Sequence, residues 1–199
     1  MVHKPSTLWD RSRQLAVETI LDTAVRLFIA QGYEETTIAQ IAKEVGISQR
    51  SLFRYFGSKE DLVCGDQEQL GALLCRTVEE APADMSAWDA VRMGFAVVAT
   101  ANHTPERALE LTRLIFGTPS LHARYLEKRL LWQADLLPIV VARTGDAGQD
   151  GHVRARALIA TTFACLDVAT QMRLDGGEAI DGADVYDRCI ASVRSGGHI

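Results

Sequence analysis

Apolar residues recur along the chain at the three- and four-residue spacing of helices. Between positions 36 and 46, one such stripe occupies positions i, i+3, i+4 and i+7, namely Ile38, Ile41, Ala42 and Val45. No segment alternates apolar and polar residues in the way that a half-buried strand does. Glycine, proline and capping residues separate the stripes. The pattern therefore predicts an all-α fold of about nine helices.

The stretch from 36 to 62 has the proportions of a helix-turn-helix motif. Thr37 can cap the first helix, with Gln40 three residues later as its partner in a capping box. Gly46 is expected to end this helix, because glycine adopts a left-handed backbone without steric cost. Ser48 then caps the second helix, which in such motifs enters the DNA major groove. The segment therefore predicts binding to double-stranded DNA.

Helical geometry divides the second helix of the motif into a buried and an exposed side. At about 100° per residue, placing Leu52 and Phe56 in the core puts Arg50 and Arg54 nearly opposite. The positions that flank these arginines are Gln49, Ser51, Phe53 and Tyr55. Arginine can bond guanine bidentately and glutamine can bond adenine in the same way. We therefore expect Arg50 and Gln49 to read bases, in preference to the alternative of an ordinary solvated face with two arginines. It does not decide whether Arg54 stays in the groove.

Contacts with the DNA backbone are expected at the helix starts. Free amides and the helix dipole favour phosphate near Thr37 and Ser48, although capping alone would explain both residues. Lys59 lies at a predicted helix start, where a cation is unfavourable for the dipole, so a phosphate contact is its expected role. Arg11 and Arg13 could reach DNA from the N-terminal arm.

The stripes divide the chain into a DNA-binding head and a longer helical domain. The head is predicted at residues 10–57, where a first helix over about 10–31 packs on the helix-turn-helix. The second domain is predicted at residues 58–195. It would begin with one helix from Ser58 to Glu80, a rod of about 33 Å that links the domains. Pro138 is expected to kink or end a later helix.

The predicted helix at 152–175 is apolar nearly all round. One of its faces carries Val153, Ala157, Ala160, Ala164 and Val168. A helix of this kind must be covered on most sides. It is either the central core helix of a monomer, or it packs on the core with one side and on a second subunit with the other. We favour the second interpretation, with a last helix at 183–194.

The formal net charge is −5, which is unusual for a protein that binds nucleic acid. Residues 1–62 carry 8 basic and 8 acidic side chains, so the acidity is confined to the remainder. A neutral head can bind phosphate only if its charges are sorted by face. The neutral net charge of residues 1–62, together with the apolar Phe53 beside the exposed arginines, keeps open the alternative of a helical ligand-binding or interaction module without DNA binding.

Other kinds of site find little support. The four cysteines lack zinc-ligand spacing and are expected to be buried apolar residues, although a thiol sensor is the alternative. No metal, cofactor or catalytic motif is indicated, so we do not expect an enzyme. The chain has no apolar run of membrane-spanning length and no secretory signal, and it is expected to be cytoplasmic.

A small-molecule effector would need a partly apolar pocket with a few polar groups. The candidate lining residues in the second domain are Trp88, Phe95, His103, Phe116, His122, Trp132, Phe163 and Met172. Residues of these types are more often ordinary core residues than ligand contacts. The sequence does not identify the effector.

The segments TIAQIAKEVGIS, from Thr37, and SLFRYFGSKEDL, from Ser51, resemble the TetR family of transcriptional regulators. The resemblance covers about residues 13–65. It implies a homodimer with two N-terminal reading heads, an effector-binding helical domain, and a two-fold interface from the helices at about 152–175 and 183–194. It also implies release from a near-palindromic operator by a ligand, usually in a repressor.

One position departs from the family pattern. The family commonly has a tyrosine at position 53, and Phe53 has no hydroxyl with which to bond a phosphate. Tyr55 and Lys59 still match family positions that are associated with backbone contacts.

Overall fold

The computed structural model describes residues 8–64, 67–101 and 105–195, and these ranges contain helices and no strand. The α-helices are α1 Leu8–Gln31, α2 Ile38–Val45, α3 Gln49–Tyr55, α4 Asp61–Cys64, α5 Gln67–Glu80, α6 Ala87–Thr100, α7 Pro105–Gly117, α8 Pro119–Thr144, α9 Gln149–Gly176 and α10 Gly182–Arg194. A short 3₁₀ helix, Gly177–Ala179, precedes α10. The all-α prediction is confirmed.

The chain folds into two compact units. The chain passes from one unit to the other between positions 66 and 67, between 113 and 114, and between 124 and 125. We call the unit with α1 to α4 and residues 114–124 the head, and the unit with the remaining helices the helical domain. The predicted domain boundary between 57 and 58 stays a prediction, because compact packing does not show which segments fold independently.

The core of the head is formed by α1, α2 and α3. Phe28, Ile41 and Leu52 are each at most 1% exposed. Thr36 is also fully buried, and its hydroxyl donates to the carbonyl of Gly32 at 2.8 Å and accepts from the Gln31 amide at 3.1 Å. These bonds fix the turn between α1 and α2, since a buried hydroxyl needs partners.

The first turn of α8 belongs to the head. Leu121 is fully buried, and the Arg124 guanidinium lies 3.1 Å from the Asp61 carboxylate of α4. The three residues Leu62, Val63 and Cys64 of α4 are buried. The sequence pattern had placed this turn in the second domain.

Two predictions about helix continuity have different outcomes. Between α4 and α5, residues 65 and 66 lie outside the described residues, so the single rod from Ser58 to Glu80 stays a prediction. Of the two alternatives predicted for Pro138, an early end of the helix is wrong, because α8 continues to Thr144, and a kink stays a prediction. The ring of Pro138 is exposed, so the carbonyl that loses its partner can bond water, and fully buried Val140 holds the following turn in the core.

The helical domain is held together by close contact between α5 and α6 and by hydrogen bonds from α8 to the end of α5. Gly94 of α6 lies so near α5 that a Cβ there would come within 2.6 Å of Leu74 Cδ1. The Arg143 guanidinium of α8 donates to four carbonyls at and beyond the end of α5, those of Val78, Ala81, Pro82 and Met85, at 2.6 to 3.3 Å. None of the described helices has the length and apolar character needed to cross a bilayer.

Candidate nucleic-acid interface

The helix-turn-helix is built from two capped helices and a glycine turn, as predicted. The backbone N–H of Gln40 donates to Thr37 Oγ1 at 3.2 Å, and the backbone N–H of Thr37 donates to Gln40 Oε1 at 2.7 Å. The two bonds complete the capping box. Gly46 ends α2 with a φ of 77°, a left-handed conformation. Local chemistry therefore sets the geometry of the turn, and α3 starts at a defined position.

The side chains of α3 are sorted as the helical wheel requires. Ser48 caps the helix, with its Oγ accepting from the Ser51 amide at 3.1 Å. Leu52 is fully buried and Phe56, the C-cap residue, is 8% exposed. The opposite face exposes Gln49, Arg50, Phe53 and Arg54, and Phe53 is 49% exposed. An outward row of two arginines and a glutamine on a firmly seated helix suits the edges of bases in a major groove.

Charges in the head are partly sorted by pairing. Within the described part of the chain, Glu44 pairs with Arg26 at 2.8 Å, whereas Arg50 and Arg54 have no carboxylate partner. The Arg54 guanidinium lies 5.7 Å from the centre of the Tyr55 ring, a cation–π contact on the same face. The arginines of α3 therefore keep their charge available for DNA although the head has no net charge.

Lys59 has an internal partner that its position in the sequence does not reveal. Its Nζ lies 4.1 Å from the centre of the Tyr33 ring and 3.5 Å from the carbonyl oxygen of Glu34. The Tyr33 hydroxyl in turn donates to Glu60 Oε1 at 3.0 Å, and burial together with this carboxylate raises the pKa of Tyr33 above its ordinary value. The cation–π contact is thus a structural reason for a lysine at a helix start, and its phosphate contact stays a prediction. The side chains of Arg11 and Arg13 lie outside the described residues.

The predicted effector residues fall into separate groups. Phe116 and His122 form a ring pair at 4.8 Å in the head. Phe95 and Phe163 meet edge to face at 5.1 Å in the core of the helical domain. Trp132 is 7% exposed and donates its indole N–H to the Gln67 carbonyl at 2.8 Å. His103 lies outside the described residues.

The other two candidates lie nearer the surface. Trp88 is half-buried at the start of α6, and Met172 is 41% exposed on α9. The predicted residues are thus not brought together as one set. Sequence reasoning also missed Arg129, which is 4% exposed in the helical domain, because nothing in the pattern distinguishes a buried arginine from a solvated one.

The expectation that all four cysteines are buried is met by two of them. Cys64 and Cys165 are buried, and Cys75 and Cys189 are half-buried. Burial raises the pKa of Cys75 to about 11 and also raises that of Cys165, so these thiols are poor nucleophiles at neutral pH. Among the described residues, no group of three or more potential ligands could hold a metal ion.

An apolar groove of about 470 Å³ opens between α9 and α10. Its lining residues are Thr161, Ala164, Cys165, Val168, Met172, Val185, Arg188, Cys189, Ser192 and Val193. The face of α9 that runs from Val153 to Val168 is exposed, while Leu158 and Phe163 on the other side are buried. One side of the helix therefore packs on the core of the chain, and coverage of its exposed side by a second subunit stays a prediction.

Comparisons with known proteins agree with this geometry. The family model of bacterial regulatory proteins, tetR family, matches residues 20–64. The regulator TcmR of Streptomyces glaucescens is 30% identical over 150 residues, which cover 72% of this chain and 66% of TcmR. The putative mycofactocin biosynthesis regulator MftR of Mycobacterium tuberculosis is 28% identical over 141 residues, 70% of this chain and 71% of MftR.

Solved structures share the fold. Thermus thermophilus FadR, a TetR family repressor in complex with lauroyl-CoA, superposes with a TM-score of 0.60 over 92% of this chain and 95% of its own, at 22% identity. Bacillus subtilis FadR in complex with stearoyl-CoA gives a TM-score of 0.59 at 18% identity, over 91% of this chain and 99% of its own. At these identities the likeness shows the fold alone.

Proposed function

Because the chain belongs to the TetR family of transcriptional regulators, we propose that it is a repressor that binds a near-palindromic operator as a homodimer. A small-molecule effector bound by the helical domain releases it from the DNA. The chain spans 66% of the length of TcmR and 71% of that of MftR. The operator and the effector of this chain are not identified by either similarity.

The outward face of α3 carries the proposal. Arg50 and Gln49 are exposed, and they are held on a helix whose other side is fixed by Leu52. Within the described residues, Arg50 has no carboxylate partner. Each bidentate contact with a base is worth about 1–3 kcal/mol of discrimination. The phosphates beside the groove are bound by Thr37, Ser48, Ser51, Tyr55 and Lys59. Arg54 and Phe53 flank the groove.

The groove between α9 and α10 supports the homodimer. Exposed Val168, Met172 and Val193 would be covered by the same face of a second copy, as a two-fold interface requires. Small residues along α9, such as Ala160 and Ala164, allow two helices to approach closely. Dimerisation sets the spacing of two heads against major-groove faces that recur about every 34–36 Å.

The effector acts through coupling between two sites. The fold accommodates ligands in its relatives, since the two FadR structures hold lauroyl-CoA and stearoyl-CoA and a Saccharomonospora viridis regulator of this fold holds choline. For this chain, effector binding lowers the affinity for DNA, and DNA must lower the affinity for the effector by the same factor.

Fluorescence anisotropy with DNA from upstream of the protein's own gene tests the proposal. We expect a specific complex whose affinity falls steeply with salt. Arg50→Ala should weaken it by about fivefold to a hundredfold, since about 1.4 kcal/mol corresponds to a factor of ten. Arg76→Ala, which removes an exposed arginine of α5, is the matched control and should bind as the wild type does. Absence of a salt-sensitive specific complex would refute the proposal, and an Arg50→Ala protein with unchanged binding would refute reading by α3.

A further inference from the structure

Among the buried polar atoms of the helical domain that lack a hydrogen-bond partner in the described part of the chain, two belong to residues that are themselves buried. They are the Nε of Arg129 and the hydroxyl of Tyr186, in side chains that belong to residues 4% and 5% exposed. Buried polar atoms in folded proteins are nearly always bonded, so each exception calls for a physical reason. A bound ligand is one such reason.

The two atoms lie at the ends of one continuous row of side chains. The Arg129 guanidinium lies 4.9 Å from the centre of the Phe163 ring, which meets Phe95 edge to face at 5.1 Å. Phe95 meets the Tyr186 ring at 5.9 Å. The row therefore presents a cation, two phenyl rings and a hydroxyl in sequence, drawn from α8, α9, α6 and α10.

The counterion of Arg129 is half exposed to solvent. Asp167 of α9 pairs with Arg129 Nη1, and its side chain is 52% exposed whereas that of Arg129 is 5% exposed. The remaining contacts of Arg129 are a bond from Nη2 to the Phe163 carbonyl at 3.0 Å and the face of Tyr125 at 5.4 Å. A buried guanidinium needs an anion, because an uncompensated charge in the interior is strongly unfavourable. The Asp167 carboxylate, in contrast, can be hydrated when it leaves.

We propose that this row binds the effector and that the effector is an organic anion with an apolar, preferably aromatic, body. Its carboxylate replaces Asp167 on Arg129, its body packs against Phe163 and Phe95, and Tyr186 offers a hydrogen bond at the far end. The inference rests on the proposed function, since it names the chemical class of the effector that releases the DNA.

The test is isothermal titration of the full-length protein with three compounds that share one phenylbutyl chain. Phenylbutyrate should bind at least about tenfold more tightly than phenylbutanol, because a bond to a charged group exceeds a neutral one by about that factor. Phenylbutylamine should bind most weakly of the three, because its cation meets the charge of Arg129.

Variants separate the role of Arg129 from packing. Arg129→Met keeps most of the side-chain volume and should reduce phenylbutyrate affinity about tenfold or more, while phenylbutanol affinity stays unchanged. Asp167→Asn removes the competing carboxylate and should tighten phenylbutyrate several-fold. Arg76→Met is the matched control. Melting curves show whether each variant is folded. If Arg129→Met does not fold, the affinity of Asp167→Asn for phenylbutyrate decides the test.

The same protein preparations are also measured with operator DNA. Any one of three results would overturn the anion site. They are equal affinity for the three compounds, unchanged binding of phenylbutyrate in Arg129→Met and Asp167→Asn, and no binding tighter than about 1 mM. DNA binding would then stand by itself, and the proposed repressor with it. If phenylbutyrate binds as expected but leaves the DNA complex intact, the site stands and its role as the effector site is overturned.

Discussion

Gly71 lies where α5 meets the indole of Trp132, and an added methyl group has no room there. A Cβ at position 71 would come within 2.4 Å of Trp132 Nε1 and 2.5 Å of its Cδ1. The indole is rigid, 7% exposed, and held by its bond to the Gln67 carbonyl, so it cannot turn aside freely. We therefore expect Gly71→Ala to push Trp132 out of its place and to destabilise the helical domain.

The expected loss follows from three opposing contributions. Overpacking of a filled core costs about 1–3 kcal/mol. The weakened bond between Trp132 and Gln67 costs about 0.5–1.5 kcal/mol more. Alanine returns about 1 kcal/mol because it is a better helix former than glycine. The net loss in the free energy of unfolding for Gly71→Ala is about 2 kcal/mol, or a melting temperature lower by about 4–8 °C in a chain of this size.

Urea unfolding followed by tryptophan fluorescence measures this loss. The matched control is Gly117→Ala at the end of α7, where a Cβ would meet nothing within 4 Å. It should be as stable as the wild type or slightly more so. If Gly71→Ala unfolds at the wild-type urea concentration or above it, the indole moves aside without cost and the reasoning is refuted.

Two further predictions concern self-association and pH. Val168→Glu puts a charge on the apolar face of α9 and should shift the protein from dimer to monomer in analytical ultracentrifugation, whereas Val97→Glu, at an exposed position of α6, should not. An unchanged dimer in both variants would contradict the interface. Burial raises the pKa of Cys75 to about 11. The unfolded chain therefore loses the thiol proton at a lower pH than the folded chain does. Stability measured in urea should therefore fall as the pH rises from the ordinary thiol pKa towards about 11, and less so in Cys75→Ala; equal slopes in the two proteins would count against it.

The parts of the site that could be predicted from the sequence are those with local causes. The capping pair of Thr37 and Gln40 and the left-handed Gly46 involve residues within a few positions of one another, so residue type and spacing suffice. The division of α3 follows from helical periodicity, once Leu52 is recognised as core. Whether Arg50 and Gln49 read bases stays a prediction.

Features that depend on tertiary contacts could not be predicted. Lys59 lies over Tyr33, 26 positions away in the chain, and no local pattern indicates that pairing. The survival of α8 beyond Pro138 depends on the burial of Val140 and on exposure of the proline ring. The position of Arg129 against Phe163 depends on how α8 meets α9. In each case the physical cause lies in a partner that the sequence brings from elsewhere.

The hydrogen bonds that α8 donates towards α5 share one property, which is that main-chain carbonyls accept them. Arg143 binds carbonyls at and just beyond one end of the helix, and Trp132 binds the carbonyl of Gln67 at the other. A carbonyl is present whatever the residue, so most substitutions along α5 leave both attachments intact. Outside its buried positions, such as Gly71, the helix can therefore accumulate side-chain changes over evolution while these bonds continue to hold its two ends.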